Sequence, residues 1–133
     1  MLTLDDVARL AVQLPEVTEA DRRGNRTWFV DGKAFAWERP FTKADLKRFG
    51  NVPPPTGEIL AVKVADLHEK EAVLAAGRRG VFTMAHFDGF PAVLVQLEEV
   101  ETSTLGEAIV DGWLACAPPK LARQYLTRTQ APG

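Results

Sequence analysis

The sequence predicts a single α+β domain, and three observations carry that prediction. Leu4, Val7, Ala8, Leu10, Ala11 and Leu14 recur at helical spacing ahead of Pro15. Asp31-Gly32 separates two short runs rich in aromatic residues, the mark of a hairpin. Two apolar runs, Ile59 to Val64 and Ala92 to Leu97, read as strands with a capped helical segment between them. At 133 residues the chain is long enough to bury one core without covalent staples.

Taken in order, Thr3 caps the first helix with Asp6 three residues on, close to a capping box, and Pro15 ends it. Its Leu/Val face is expected to pack on a sheet. The polar stretch Glu16 to Gly24 reads as a loop or a short edge strand. In the hairpin Thr27 to Glu38, Gly32 supplies the positive φ of a tight two-residue turn. Trp28 and Val30 are expected on one face and Phe29 on the other. Phe35 and Trp37 alternate with Ala34 and Ala36, which would put both rings on one side. Thr42 to Gly50 is a short helix with a Thr cap and a Gly stop, followed by a stiff loop around Pro53, Pro54 and Pro55.

Asp66 caps a helix running through Ala76, with Leu67, Val73 and Leu74 expected inward and Gly77 closing it. Val81 to Met84 reads as a further strand. A turn pinned by Gly89 and Pro91 then leads into the strand Ala92 to Leu97; Pro91 suits a strand entry because it donates no hydrogen bond. Val100 to Thr104 is expected to be a loop, with Thr104 capping a helix that buries Leu105, Ala108, Ile109, Gly112, Trp113 and Cys116. Pro118-Pro119 starts a last helix carrying Leu121, Ala122, Tyr125 and Leu126, and the tail from Thr127 to Gly133 is expected to fray.

Composition narrows the function classes. The chain is 46% apolar and 26% charged, an ordinary globular balance. One cysteine rules out an internal disulfide, and two histidines are too few for most histidine-rich metal centres. The start Met-Leu-Thr-Leu-Asp-Asp is acidic and lacks a basic segment followed by an apolar run, so a cytoplasmic location is expected. The net charge of −2 hides segregation. Residues 21–50 hold eight basic side chains against four acidic ones, whereas residues 58–111 hold four against ten. The net acidity argues against a bulk polyanion binder, and the segregation leaves room for a local basic face.

Candidate chemistry is sparse. His86 and Asp88 have the spacing of a base and its orienting carboxylate, yet Ser103 and Cys116 lie in no nucleophile-elbow context. The preferred reading is structural: Asp88 bonds backbone amides of the turn and His86 packs at a strand end. Cys116 reads as a buried thiol on an apolar helix stripe. His68 with Glu69 and Glu71 lacks a third metal ligand, the glycines form no phosphate-cradling loop, and no cofactor or metal is expected. Trp28, Phe29, Phe35 and Trp37, interleaved with Arg26, Lys33 and Arg39, either fill the core or stack on bases while the cations meet phosphates. The residues expected to touch nucleic acid are Arg22, Arg23, Arg26, Lys33, Lys43, Lys47 and Arg48.

The run His86-x-x-Gly89-Phe-Pro91 resembles the signature of the MmcQ/YjbR family of small bacterial proteins. So do the hairpin Phe29 to Ala36, the pair Ala61-Val-Lys63-Val and Glu71-Ala-Val-Leu74, and Asp111-Gly-Trp113 followed by Ala117-Pro-Pro-Lys120. The resemblance covers nearly the whole chain in order. It departs at Arg23-Gly24-Asn25-Arg26, where relatives often have Trp-Gly-x-Pro, and in a longer, proline-rich 40–58 segment. It implies a two-layer fold, an antiparallel sheet covered by helices, akin to secretion-chaperone-like and frataxin-like architectures. It also implies a structural role for His86, Asp88, Gly89 and Pro91 in the signature turn. Two functions follow as expectations: a non-enzymatic module that binds DNA through a basic hairpin face, or a protein-interaction adaptor that dimerises through a sheet face or edge.

Overall fold

The computed structural model describes residues 1–130. Its elements run α1 (Leu4–Ala11), β1 (Val17–Arg22), β2 (Asn25–Val30), β3 (Lys33–Glu38), α2 (Lys43–Phe49), β4 (Ile59–Lys63), α3 (Leu67–Ala75), β5 (Val81–Phe82), β6 (Ala92–Gln96), α4 (Thr102–Cys116) and α5 (Pro119–Gln130). A 3₁₀ turn, Ala85–Phe87, stands between β5 and β6. The strands form one open sheet in the order β1-β2-β3-β4-β6-β5, every neighbouring pair antiparallel. The expected α+β architecture, an antiparallel sheet covered by helices, is the one observed.

One face of the sheet carries the main core. β4 and β6 turn Leu60, Val62 and Val95 toward it, where they meet Leu105, Ile109 and Trp113 of α4 and Leu4, Val7 and Ala11 of α1. Helix α1 starts on the capping box read from the sequence: the Thr3 N–H donates to the Asp6 carboxylate at 2.8 Å and the Asp6 N–H to the Thr3 hydroxyl. Gly112 lets α4 descend onto the sheet, since a Cβ there would lie 2.7 Å from Val62 Cγ1 and 3.0 Å from the Phe35 carbonyl oxygen. The indole N–H of Trp113 donates to the Pro15 carbonyl at 3.0 Å, and Tyr125 of α5 lies against its ring. A smaller apolar cluster on the opposite face joins Ile59, Ala61, Ala92 and Leu94 to Met84 and Phe87, with Phe41 and Phe49 beside them.

Several local expectations are corrected. Of the two readings of the stretch after Glu16, the edge strand is the one observed, six residues long and paired with β2 from Val17↔Val30 to Arg22↔Asn25. A second two-residue turn, Arg23-Gly24, closes that hairpin with φ of 56° and 84°. β3 contains a bulge: Trp28 pairs with Ala36 but Phe29 with Ala34, leaving Phe35 as the extra residue. The bulge resets the alternation, so Phe35 and Ala36 both enter the main core while Trp37 joins the opposite cluster. Leu67 is 49% exposed, and the inward positions of α3 are Lys70, Val73 and Leu74, beginning one turn later. β5 spans two residues rather than four. Helix α4 starts at Thr102, because the Val100 N–H already donates to the Gln96 carbonyl and delivers the chain bent into its first turn. The chain from Thr127 to Gln130 is helical, and residues 131–133 of the expected frayed tail lie outside the described residues.

A cationic, aromatic cleft as the candidate functional site

A cleft of about 730 Å³ runs along β2 and β3. Thr27, Ala34 and Trp37 lie along it, and Arg22, Arg23, Lys33, Arg39 and Lys63 supply five cations against one carboxylate, Glu38, among the described residues. Strand register places Arg22, Arg23 and Arg39 toward one end and Lys33 and Lys63 toward the other. The bulge separates the two rings of β3, so Trp37 lines this cleft while Phe35 enters the main core.

Each wall has a local cause. Arg23 sits at the first position of its turn with φ 56°, a left-handed conformation that favours Gly or Asn. The Asp21 carboxylate accepts the Gly24 N–H at 2.9 Å and steadies the turn. On the far wall, Phe90 is 41% exposed, with Trp37 edge-on at 6.5 Å and the Lys63 ammonium 4.7 Å from its ring centre. Gly89, at φ 74°, makes the reversal that presents Phe90. The Val64 N–H donates to the Pro91 carbonyl at 2.9 Å and binds the end of the turn to β4.

The signature turn is held from below by a cation. Lys70 is buried and its ammonium donates to the carbonyls of Phe87 at 2.5 Å and Phe90 at 2.9 Å. Burial pushes its pKa down, partly opposed by the Asp88 charge. The expectation that Asp88 ties backbone amides is therefore overturned. Asp88 is exposed, and the polar groups that organise the turn are its own carbonyls, for which an ammonium is the matching donor. His86 is exposed as well, edge-on to Phe87 at 5.8 Å, beside a separate cavity of about 80 Å³ with Asp45, Arg48 and Met84.

Arg39 enters the cleft already committed. Its guanidinium donates to the buried Asp45 carboxylate at 2.9 Å and to the Pro40 carbonyl at 2.6 Å, and lies 5.6 Å from the Phe87 ring centre. Asp45 also caps α2, accepting the Thr42 N–H at 2.9 Å. Burial pushes the Asp45 carboxyl up, but the Thr42 and Arg39 hydrogen bonds outweigh it and hold the group below the ordinary carboxylate range. One carboxylate oxygen, Oδ1, has no hydrogen-bond partner among the described residues.

The seven cations read as one positive face separate into three groups. Arg22, Arg23 and Lys33 line the cleft. Arg26 is on the α1 side, donating at 2.8 Å to both Glu19 and Asp5 and lying over Trp28. Those bonds, Glu19 first, raise its pKa above the ordinary arginine value. Lys43, Lys47 and Arg48 are exposed on α2, outside the cleft lining. Lys63 and Phe90 were missed as partners of the basic hairpin because they come from β4 and from a turn far along the chain. Of the four hairpin aromatics, Trp28 and Phe35 are core and Trp37 lines the cleft.

The acidic half of the chain supplies a different surface. Glu69, Glu107 and Asp111 border a cavity of about 230 Å³ between α3 and α4, and burial together with Glu69 and Glu107 raises the Asp111 pKa. Cys116 is buried at the end of α4, its thiol against the Ala34 carbonyl oxygen at 3.9 Å, and burial pushes its pKa up. Among the described residues no group of three or more His, Cys, Asp or Glu side chains is arranged to hold a metal ion, and no helix is long and apolar enough to cross a membrane.

No family model matches the chain. It is 42% identical over 132 residues to protein Rv2570 of Mycobacterium tuberculosis strain H37Rv, covering 97% of this chain and 99% of that one. The same figures hold for protein Mb2600 of Mycobacterium bovis, and both relatives are named as uncharacterized proteins. The crystal structure of Deinococcus radiodurans protein DR2400, a DUF419 domain, superposes with a TM-score of 0.58 at 20% identity, covering 86% of this chain and 78% of that one. That likeness is one of fold. The match along nearly all of both sequences shows that the chain belongs to the family of these mycobacterial proteins.

Proposed function

We propose that the protein is a non-enzymatic binding module that takes nucleic acid in the cleft between the β1–β2 turn and the signature turn. The carrying observation is the gathering of Arg22, Arg23, Lys33 and Lys63 around the Trp37 and Phe90 rings, with Glu38 as the one lining carboxylate among the described residues. Cations meet phosphates and fix register, while aromatic faces offer bases a surface. The acids of residues 58–111 that border the cavity between α3 and α4 are absent from this lining, so the chain's net charge of −2 does not set the local field. The signature turn and the order of the matching segments support membership in the MmcQ/YjbR family. The adaptor alternative would dimerise through a sheet face or edge, and at the free edge of β1 the charges of Glu19, Asp21 and Arg22 are of the kind that discourage strand pairing.

Fluorescence anisotropy with labelled DNA across a salt series tests the proposal. Affinity is expected to fall linearly with log salt, by a slope of about one per phosphate contact. Reversing Arg22 and Arg23 to Glu should flatten that slope, whereas Arg26→Gln should leave it alone because Arg26 is spent on Glu19 and Asp5. Absence of binding at about 100 μM protein, the weak end of non-specific affinity, would sink the proposal.

A further inference from the structure

Phe90 is the one aromatic side chain among the large exposed hydrophobics of the described residues. Its exposure is arranged by three features: Gly89 makes the reversal, Lys70 holds the carbonyls of Phe87 and Phe90, and the Pro91 carbonyl is bonded to β4. The ring stands in a cleft whose cations sit at both ends, beside a second ring, Trp37. Aromatic surface held open to water between cations matches a ligand with an uncovered π-face and phosphates on either side of it. A duplex offers the opposite: its base faces are covered by neighbouring pairs, and admitting a ring between them costs unstacking energy.

We infer that the cleft's ligand is single-stranded nucleic acid, with one unpaired base stacked on Phe90, Trp37 beside it, and the flanking phosphates on Arg22, Arg23 and Lys33. The inference rests on reading the cleft as a nucleic-acid site, and it adds the strandedness and the residue that supplies it. Recognition is tolerant of sequence, since every base has a face to stack. Phe90 contributes stacking and no charge, so its loss must lower affinity without altering the salt dependence.

The test compares a labelled oligothymidine with a hairpin duplex of equal phosphate number at the same salt. The single strand is expected to bind roughly ten-fold tighter, and Phe90→Ala to lose about ten-fold of that affinity with the salt slope unchanged. Phe90→Trp should restore it. Trp28 and Trp113 are buried, so quenching of intrinsic fluorescence on binding reports Trp37. Equal or tighter binding of the duplex, or a Phe90→Ala variant that binds oligothymidine as well as the parent, would overturn the inference while leaving the nucleic-acid site standing. If neither probe binds at about 100 μM, the site reading and the strandedness fall together.

Discussion

The face of the sheet under α1 and α4 is filled by Trp28, Phe35, Ile109 and Trp113, whereas the face that carries the cleft and signature turn is organised around Asp45, Arg39 and Lys70. Apolar packing on the first face needs only shape. On the second, each buried charge must keep its partners, because an ion left alone in the interior costs far more than a lost contact. The difference separates two tasks: one face holds the fold together, and the other holds Phe90, Arg39 and Trp37 where a ligand can reach them.

Trp113→Ala should show the largest effect, a loss of about 3–5 kcal/mol in a denaturant titration, since the indole is fully buried and donates to Pro15. The fraction that remains folded should bind DNA as the parent does, which would sharpen the division between the faces. Lost binding in that fraction would break it.

On the other face, Asp45→Ala should cost about 3 kcal/mol, from a stranded Arg39 and a lost helix cap. Its pH signature follows from the depressed carboxyl. With the folded pKa below the unfolded value of about 3.9, the unfolded chain binds more protons in between, so the parent loses this stabilisation as pH falls through the folded pKa. The gap between parent and variant should be full above pH 4 or so and shrink below it in thermal melts. A gap constant down to strong acid would mean that the carboxylate is not the stabilising form.

The two hairpin turns give the smallest and most discriminating pair. Both place positive φ at each central position, Asp31-Gly32 at 51° and 73° and Arg23-Gly24 at 56° and 84°. Gly32→Val should destabilise by about 1–2 kcal/mol, because a β-branched side chain is strained there. Arg23→Gly relieves strain while loosening the unfolded chain, so stability should change by less than about 1 kcal/mol, yet DNA affinity should drop. Affinity unchanged in Arg23→Gly would remove that turn from the site.

The same two turns show what the sequence could disclose. Asp-Gly is a hairpin signal in itself, so β2 and β3 are legible; Arg-Gly is not, and the sequence leaves β1 open between a loop and a short edge strand. The Ala34-Phe35-Ala36-Trp37 run fits a period of two, and nothing in it announces a bulge, so the side on which Trp37 emerges was misread. Thr104 matches a capping residue, but the tight turn at Val100 had already begun the helix. Half of the cleft was legible because Arg22, Arg23 and Lys33 are close in sequence. Lys63 and Phe90 join them through strand pairing and through Lys70, a helix residue whose buried ammonium no local pattern foretells.

The extra residue at Phe35 has a consequence for how such a surface arises. Removing Phe35 would leave Phe29↔Ala34, Trp28↔Ala36 and Thr27↔Trp37 as an unbroken ladder, with Ala36 still inward and Trp37 still on the cleft side. The residue lost would be a ring of the main core. The bulge therefore lets one short strand place a large side chain in the core without taking one from the cleft. A hairpin one residue shorter would keep the aromatic wall opposite Phe90 and lose core volume beneath it.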